Sequence, residues 1–530
     1  MNRSTLRLLL VMVLCCCVVP HASAASPQIV PLPQTFKTAK GRLAPASLRS
    51  GIYIDPASSV DRSVAYEWLA EAGIDTIPAS EVATASVAMK ICPGVTGNRE
   101  GYTLTVSLSR IDICADSDAG IIWALQTLRQ YAAGKDRIDA ITISDTPAYP
   151  WRSYLMDESR HFFGPEAARR VIDELSRIKM NVLHWHLTDG AGWRIEIPQY
   201  PRLTEVGSKL DYSHRFVTPE QWDSIYPSRR AYYTAAEIKD IVAYARKRGV
   251  TVMPEIEMPG HQLAAIASYP WLGTSSRMAG KAVTGDLLNV ADPSVEQFLR
   301  DVLDYVIDLF GIDTIHIGGD EAEYKHWIGA PGVAAYMAEN GMQQPWELQD
   351  RLVRRMARYL DGKGVRMMGW NEITGHDPAR RAEVDGSIAQ FWQGDISGLG
   401  RAASQGYLAV NSDQLYTYLD YDYDGTPLWK CFRFNPIPAN MDASLHEKVI
   451  GFGAQMWAEK VPDFAQLCYM TFPRIAALAE RGWSPADNTD YTDFMRRVQP
   501  LQTLWRASGI INTQPVYDRK EPKAKMPKGR

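Results

Sequence analysis

Two adjacent carboxylates at the end of an apolar segment are the strongest chemical signal in this sequence. Asp320 and Glu321 follow the paired glycines Gly318 and Gly319. Glycines at such a point let the backbone approach a ligand closely. Two neighbouring acids in a confined site cannot both ionise freely, so one should stay protonated and serve as a general acid, and their titrations should be coupled. An acid–base site is therefore predicted here.

The adjacency of these acids restricts the reaction that they could catalyse. An ordinary retaining glycosidase uses an acid and a nucleophile placed about 5 Å apart across the sugar, and neighbouring residues are poorly suited to that arrangement. An N-acetylated sugar supplies its own nucleophile, because its acetamido oxygen can attack the anomeric carbon. One acid would then orient the acetamido group while the other protonates the leaving oxygen.

The elements that must position these acids follow a regular rhythm after Trp151. Short apolar strands alternate with amphipathic helices, of which one is marked by the capping pair Thr234 and Glu237 and another by Asp292 before Pro293. Eight strands are predicted, at 154–158, 182–187, 250–256, 314–318, 366–370, 388–392, 407–410 and 449–456. Eight such units favour a (β/α)8 TIM barrel, and an open doubly wound sheet is the alternative.

The rest of the chain divides into three further parts. Alternating segments at 101–107 and 110–114 with a helix at 119–131 predict a small N-terminal α+β domain over 25–148, and the barrel should fill 149–512. Arg3 and Arg7, a short apolar run and a small-residue site predict a signal peptide over 1–24. The Lys- and Pro-rich tail, 513–530, is predicted to be disordered.

Export to the periplasm or the medium follows from that signal. Cys15 to Cys17 raise the alternative of a lipid anchor, although the residues before them lack the usual pattern. No later segment is apolar enough for a membrane span.

Composition narrows the possible partners. The formal net charge is −4 with acids and bases interspersed, which gives no indication of a nucleic-acid partner. Four cysteines follow the signal, Cys92, Cys114, Cys431 and Cys468, and they form no CxxC pair, so no thiolate metal site and no cofactor are predicted. A disulfide between Cys92 and Cys114 and a set of buried free thiols are both open.

Polar and aromatic residues collect at the carboxyl ends of the predicted strands, which face one mouth of such a barrel. Ten segments of the chain resemble motifs of glycoside hydrolase family 20, the β-N-acetylhexosaminidases. They are 29–34, 100–104, 157–162, 184–189, 258–261, 316–321, 369–372, 418–420, 457–459 and 472–477. Their order and their spread over nearly the whole mature chain make the set specific.

The resemblance implies an exo-acting, retaining enzyme that removes terminal GlcNAc or GalNAc from oligosaccharides or glycoconjugates. Asp320 would polarise the acetamido group and Glu321 would be the acid and then the base. The other implied site residues are Tyr418 at the acetamido oxygen, Trp370, Trp392 and Trp457 around the sugar, Arg152, Asp420 and Glu459 on the ring hydroxyls, and Asp189 and His261 behind the acid. The chain departs from the family pattern at Gly190 and Ala191, where an acid and an amide are usual, which leaves open how Asp189 is held.

Three other interpretations compete with these roles. His184 and His186, with His261 and His316, could instead serve a metal-dependent barrel hydrolase. A glycan-binding protein without catalysis is a second possibility, although binding alone would not need both acids. At single positions, the tryptophans could be core residues and Arg152 could be an interdomain ion-pair partner. The sequence does not indicate the oligomeric state.

Overall fold

The computed structural model of the chain describes residues 27–48, 51–74, 77–209, 230–278 and 281–510. The predicted signal peptide and the predicted basic tail lie outside the described residues. Within the described part, every helix is too short or too polar to cross a membrane.

The N-terminal unit is a six-stranded mixed sheet. Its strands are β1 (Thr35–Leu43), β2 (Ile52–Ile54), β3 (Val87–Ile91), β4 (Tyr102–Val106), β5 (Ile111–Ala115) and β6 (Ile138–Asp145), in the order β1-β6-β4-β5-β3-β2. The helix Asp118–Ala132 packs on the central strands and is capped by Ser117. The predicted strands at 101–107 and 110–114 and the predicted helix are confirmed. Cys92 and Cys114 form a disulfide, with their Cα atoms 5.6 Å apart.

Eight parallel strands then close into a barrel, as predicted. They are β7 (Trp151–Asp157), β8 (Val182–His186), β11 (Thr251–Glu255), β14 (Thr314–His316), β15 (Arg366–Trp370), β16 (Ile388–Phe391), β17 (Leu408–Asn411) and β18 (Val449–Met456). Strand β7 begins three residues earlier than predicted because Trp151 pairs with Gly451 of β18. A side chain at Gly451 would collide with the Trp151 carbonyl oxygen, so glycine is required at this closure of the barrel.

Two short antiparallel pairs decorate the barrel: β9 (Thr188–Asp189) with β10 (Gly192–Trp193), and β12 (Gly273–Met278) with β13 (Lys281–Leu288). The described α-helices are Arg62–Glu71, Asp118–Ala132, Pro165–Arg177, Arg202–Glu205, Ala235–Arg246, Leu263–Ser268, Pro293–Phe310, Pro331–Glu339, Trp346–Asp361, Ser397–Ser404, Gln414–Thr417, Leu428–Phe432, Phe464–Thr471, Arg474–Trp483 and Tyr491–Ala507. In the described part of the chain, 3-10 turns lie at Pro45–Ser47, Gly207–Lys209, Pro270–Leu272, Tyr324–His326, Asn371–Thr374 and Ala443–Lys448.

The helix caps predicted from sequence are present. Thr234 and Glu237 form a reciprocal capping box, and the side chain of Asp292 accepts a hydrogen bond from the Ser294 amide. Gly311 adopts the left-handed conformation that ends the helix Pro293–Phe310. These local signals mark where two of the helices around the barrel begin and where one of them ends.

The N-terminal unit packs against the amino end of the barrel through buried polar contacts. Lys179, fully buried, lies 2.8 Å from the Asp145 carboxylate, and the Trp483 indole donates to the same carboxylate at 3.0 Å. A buried charge must be paired and hydrogen-bonded to be tolerated. This junction therefore fixes one end of the barrel and leaves the opposite mouth open.

Candidate active site

The loop after β14 carries the two acids, and its backbone has positive φ angles at two glycines just before them. Gly318 and Gly319 have φ values of +66° and +99°. A Cβ atom at Gly318 would lie 1.8 Å from the Glu257 carboxylate. Glu321 itself has a φ of +46°, an uncommon value outside glycine. The turn aims Asp320 and Glu321 into the barrel mouth in different environments: the Asp320 side chain is 11% exposed and that of Glu321 is 57% exposed.

His261 lies between the acid pair and Asp189. Its Nε2 atom is 3.6 Å from a carboxylate oxygen of Asp320 and 3.6 Å from one of Glu321, and its Nδ1 atom is 3.4 Å from Asp189. Burial lowers the pKa of His261, but the carboxylates of Asp189 and Asp320 outweigh it and raise the pKa to about 10. His261 is therefore a cation at neutral pH, placed between three acids.

The enclosed acid of the pair, Asp320, has a shifted pKa. Burial raises the pKa of Asp320 above its usual value, the His261 cation opposes that rise, and Glu255 and Glu321 add to it. The pKa of Asp320 is thus raised, although the family resemblance assigns proton donation to its neighbour Glu321.

Aromatic rings wall a cavity of about 800 Å³ in front of the acids. Trp392, Tyr418 and Trp457 line it; the rings of Trp392 and Tyr418 are stacked, with centroids 6.2 Å apart and planes 15° apart. Trp370 is 1% exposed and lies behind this wall, with its ring centroid 5.8 Å from that of Trp457. Its indole donates to Glu255 at 2.8 Å, so it supports the wall from within the barrel.

Asp420 and Glu459 line the same cavity. Burial raises the pKa of Asp420 to about 7, and the neighbouring Glu459 adds to the rise. The Oδ1 atom of Asp420 is buried and has no hydrogen-bond partner among the described residues. A buried acceptor of this kind is costly unless a ligand satisfies it.

Arg160 is not among the predicted site residues, and it also lines the cavity. Its guanidinium lies 2.8 Å from Asp189, 3.2 Å from Asp157 and 3.6 Å from Glu459, and it covers the face of the Trp457 ring at 4.9 Å. The signal that could have found it is its place three residues beyond the end of β7, since groups at that end face the mouth.

The prediction that Arg152 grips the sugar is wrong. Arg152 is the second residue of β7 and lies at the amino end of the barrel, fully buried. Its guanidinium pairs with Glu100 of the N-terminal unit at 3.1 Å and donates to the carbonyl oxygens of Lys179 and Tyr149. The five-residue distance to the end of β7 is roughly 16 Å along a strand, which keeps Arg152 out of the mouth. Its other interpretation, an interdomain ion pair, is correct.

Three of the four histidines of the metal alternative, His184, His186 and His316, lie inside the barrel, whereas His261 lines the cavity. Glu255 is surrounded by His184 at 3.0 Å, His186 at 2.6 Å and His316 at 2.7 Å. His184, His316 and Glu255 form one buried group of potential ligand atoms, and His186, Glu255 and Glu257 form another. A catalytic metal keeps an open position toward its substrate. The enclosure of both groups favours a structural, ion-paired network beneath the acids.

Two further buried acids near Asp320 were not predicted as site residues. Burial and the nearby Asp320 raise the pKa of Glu257 well above its usual range, and they raise that of Glu372 to about 8. The Trp392 indole donates to Glu372 at 3.2 Å. Glu372 is therefore largely neutral near pH 7, and the raised pKa of Glu257 also acts to limit the negative charge around Asp320.

Asp189 has several side-chain contacts although the chain differs from the family pattern at the next residue, Gly190. Asp189 contacts Arg160 and His261 as described, and it lies 3.2 Å from Nε2 of His186. A Cβ atom at Gly190 would lie 3.4 Å from Cβ of Leu263, so a side chain here would point toward the helix Leu263–Ser268.

The structure brings together ten of the eleven predicted site residues and separates one. Those that line the cavity are His261, Asp320, Glu321, Trp392, Tyr418, Asp420, Trp457 and Glu459. Asp189 and Trp370 lie directly behind them, and Arg152 is at the other end of the barrel.

Comparison with known proteins gives a consistent family. Residues 149–486 match the catalytic domain of glycosyl hydrolase family 20, and residues 26–146 match domain 2 of that family. A β-hexosaminidase of Porphyromonas gingivalis is 34% identical over 424 residues, which are 75% of this chain and 52% of that protein, so the chain spans about half of that relative. A β-hexosaminidase of Vibrio furnissii is 31% identical over 487 residues, 88% of this chain and 78% of the relative.

Solved structures agree with the sequence matches. The family 20 exo-β-N-acetylglucosaminidase of Vibrio harveyi in complex with N-acetylglucosamine has a TM-score of 0.80 at 28% identity, covering 93% of this chain and 80% of that one. The Streptomyces plicatus N-acetyl-β-hexosaminidase in complex with Thio-NAglucal has a TM-score of 0.74 at 30% identity, covering 91% and 96%.

Proposed function

The chain belongs to glycosyl hydrolase family 20 and is a glycoside hydrolase, and we propose that it is an exo-acting β-N-acetylhexosaminidase in which Asp320 and Glu321 carry substrate-assisted catalysis. The observation that carries the residue assignment is the division between these two neighbours. Asp320 is enclosed and paired with a cation, whereas Glu321 reaches the open cavity. The first environment suits a group that orients and stabilises charge, and the second suits a group that exchanges protons with a leaving group and with water.

In the first step the acetamido oxygen of the substrate attacks the anomeric carbon. Asp320 accepts a hydrogen bond from the acetamido N–H and stabilises the positive charge that develops on the oxazolinium. The Tyr418 hydroxyl donates to the acetamido oxygen and aligns it. Glu321 transfers its proton to the glycosidic oxygen as the bond from that oxygen to the anomeric carbon breaks.

In the second step water attacks the anomeric carbon and the ring of the oxazolinium opens. Glu321, now a carboxylate, takes the proton from this water, and the acetamido group is restored with net retention of configuration. His261 contacts both acids, and its positive charge would compensate the carboxylates in each half of the cycle.

Binding of the terminal sugar would use the wall opposite the acids. Asp420, Glu459 and Arg160 offer two acceptors and one donor group to the ring hydroxyls. Trp392 and Trp457 provide apolar faces for the N-acetyl methyl and the sugar ring, and amphipathic rings of this kind suit a ligand with apolar and polar sides.

We also propose that the protein acts outside the cytoplasm. The support is the charged and apolar pattern of residues 1–24 together with the disulfide between Cys92 and Cys114, because such bonds persist in oxidising compartments.

The experiment compares aryl β-glycosides of N-acetylglucosamine, N-acetylgalactosamine, glucose and galactose. Release of the aryl group from the N-acetylated pair alone is expected, since only these sugars carry the internal nucleophile. A thiazoline analogue of the oxazolinium should also inhibit far more tightly than the product N-acetylhexosamine, because it resembles the transition state. Comparable rates on the plain hexosides would contradict the mechanism.

A further inference from the structure

Strand β13 of the antiparallel pair β12–β13 lies between the two loops that carry the charged centre of the site. Gln262, the residue after His261, donates its amide to the Asp286 carbonyl oxygen at 2.8 Å. From the loop that follows the two catalytic acids, the Trp327 indole donates to the Leu288 carbonyl oxygen at 2.8 Å. These hydrogen bonds fix the carboxyl-terminal half of β13 against both loops.

Asp286 brings a further carboxylate to this place, and the mechanism described above does not use it. The residue is half-buried. Burial raises the pKa of Asp286, the His261 cation opposes that rise, and the Asp189 carboxylate adds to it. The Asp286 carboxylate therefore lies within electrostatic range of both members of the contact between His261 and Asp189, whose atoms are 3.4 Å apart.

The region beside this carboxylate is where a side chain of residue 190 would stand. A Cβ atom at Gly190, the residue after Asp189, would lie 3.9 Å from Oδ2 of Asp286. The φ of Gly190 lies outside the left-handed region and this Cβ atom would make only ordinary contacts, so the backbone and the packing both permit a side chain. Two carboxylates here would repel each other. An acid at position 190 and an acid at position 286 are therefore alternatives.

The site has a use for one more negative charge at this point. Asp189 contacts two cations, Arg160 at 2.8 Å and His261 at 3.4 Å. The Arg160 guanidinium acts to lower the pKa of His261. A second carboxylate on the side of Asp286 offsets this repulsion and favours the protonated form of His261.

We propose that Asp286 is a positioning residue for His261, which supplies from strand β13 the negative charge beside Asp189 that the glycine at position 190 does not. Asp286 touches no reacting atom in the proposed mechanism and acts through His261, which contacts both catalytic acids. This proposal rests on the proposed function, because the charge of His261 matters to catalysis only if Asp320 and Glu321 are the acids at work.

The other charged groups around His261 and Asp286 belong to three loops. They are Arg160 after β7, Asp189 after the end of β8, and Asp320, Glu321, Glu323 and His326 after β14. None of these groups is altered in the variants below, except that Gly190→Asp adds a charge next to Asp189.

The first test is the pH profile of kcat/KM for 4-nitrophenyl N-acetyl-β-glucosaminide in Asp286→Asn. The amide keeps the size of the side chain and leaves the backbone hydrogen bond from Gln262 in place. Loss of the negative charge lowers the pKa of His261, so the alkaline limb should move to lower pH by about 0.3 or more, while kcat/KM near pH 6 stays within about threefold of the wild type. An unchanged profile, or an equal loss at every pH, would overturn the proposal. If the wild type does not cleave this substrate, the proposed function itself fails.

A second variant returns the charge from the other side of the contact. Gly190→Asp combined with Asp286→Asn should move the alkaline limb back toward its wild-type position by at least about half of the displacement. Gly190→Asp alone brings two carboxylates together, so its thermal midpoint should lie below that of the double variant. The control Asp308→Asn removes an exposed charge from the helix Pro293–Phe310 and should leave the limb in place. A double variant with the same limb as Asp286→Asn would overturn the assignment.

Discussion

Two arginines at opposite ends of strand β7 have similar surroundings and different tasks. Arg152 and Arg160 are both buried, both pair with carboxylates and both lie over a tryptophan ring, that of Trp483 at 5.1 Å and that of Trp457 at 4.9 Å. At Arg152 each guanidinium nitrogen donates to a protein oxygen, so the contacts are complete. At the mouth, the Oδ1 atoms of Asp320 and Asp420 have no hydrogen-bond partner among the residues that the structure describes.

This difference shows what distinguishes a binding site from a structural junction in this molecule. Buried ion pairs occur at both ends of the barrel, so their presence does not separate the site from the junction. Buried polar atoms usually have partners, and those that lack them in a cavity are the atoms that a ligand can satisfy. The comparison therefore predicts that substitutions at the mouth change catalysis, whereas equivalent substitutions at the junction change stability.

The largest effect on catalysis is expected for Glu321→Gln. Loss of the proton donor should lower kcat about 10²- to 10⁴-fold on a substrate with a poor leaving group, such as a disaccharide. Because the Glu321 side chain is 57% exposed, the thermal midpoint should stay close to that of the wild type. The matched control is Glu323→Gln, an exposed acid two residues away that pairs with Lys325, which should retain activity. Equal losses in both variants would show that the loop, rather than the acid, was disturbed.

A smaller but clear loss is expected for Arg160→Lys. Lysine keeps the charge but cannot reproduce the planar fork that contacts Asp157 and Asp189 while facing the cavity. Hydrogen bonds to charged groups contribute about 1.5–3 kcal/mol, so kcat/KM should fall by about 10- to 100-fold. Steady-state kinetics with the aryl N-acetylglucosaminide measure this, and a kcat/KM equal to that of the wild type would remove Arg160 from the sugar-binding set.

These two arginines also show which features of the molecule could be predicted from the sequence and which could not. The eight strands, the barrel and the mouth were predictable because apolar periodicity, capping residues and turn glycines act locally. The position of Asp320 and Glu321 followed from the same local signals. The same signals could not assign Arg152 and Arg160 to different ends of the barrel, because both residues flank the predicted strand 154–158. In the structure β7 begins at Trp151, where it pairs with Gly451, and this start places Arg152 at the amino end of the barrel.

The charge states of the buried acids and histidines inside the barrel could not be predicted from the sequence either. The network of Glu255 with His184, His186 and His316 depends on three strands, β11, β8 and β14, that meet only in the closed barrel. The raised pKa of Glu257 likewise depends on its burial against the Gly318 turn. Desolvation and pairing set these values, and neither can be read from residue order.

An intermediate, pH-dependent effect is expected for Asp420→Asn. The pKa of Asp420 is raised to about 7, so the wild-type carboxyl becomes protonated below that pH and loses its capacity as a double acceptor for ring hydroxyls. The kcat/KM of the wild type should therefore fall about tenfold per pH unit on this limb, and the variant should have a lower kcat/KM without the limb. A limb near pH 7 that persists in the variant would assign the titration to another group.

The same substitution gives a stability test with a defined sign. Because the native pKa of Asp420 lies above its ordinary value of 3.8, the folded state binds the proton more tightly than the unfolded chain between about pH 4 and pH 7. Ionisation across this window costs stability in the wild type, and the amide avoids that cost. The thermal midpoint of Asp420→Asn relative to wild type should therefore rise as the pH increases from 4 to 7.

The smallest effect on catalysis is expected for Arg152→Lys, the matched partner of Arg160→Lys. Lysine cannot satisfy Glu100 and the carbonyl oxygens of Lys179 and Tyr149 together, and each buried group left without a partner costs about 1–3 kcal/mol. The urea midpoint should fall accordingly, while kcat/KM of the folded enzyme at low temperature stays at the wild-type value, since roughly 16 Å of strand separates this guanidinium from the mouth. If Arg152→Lys lowers kcat/KM as much as Arg160→Lys does, the two ends of the barrel are coupled through β7. Complete hydrogen bonding around a buried charge would then not distinguish a structural residue from a catalytic or binding one.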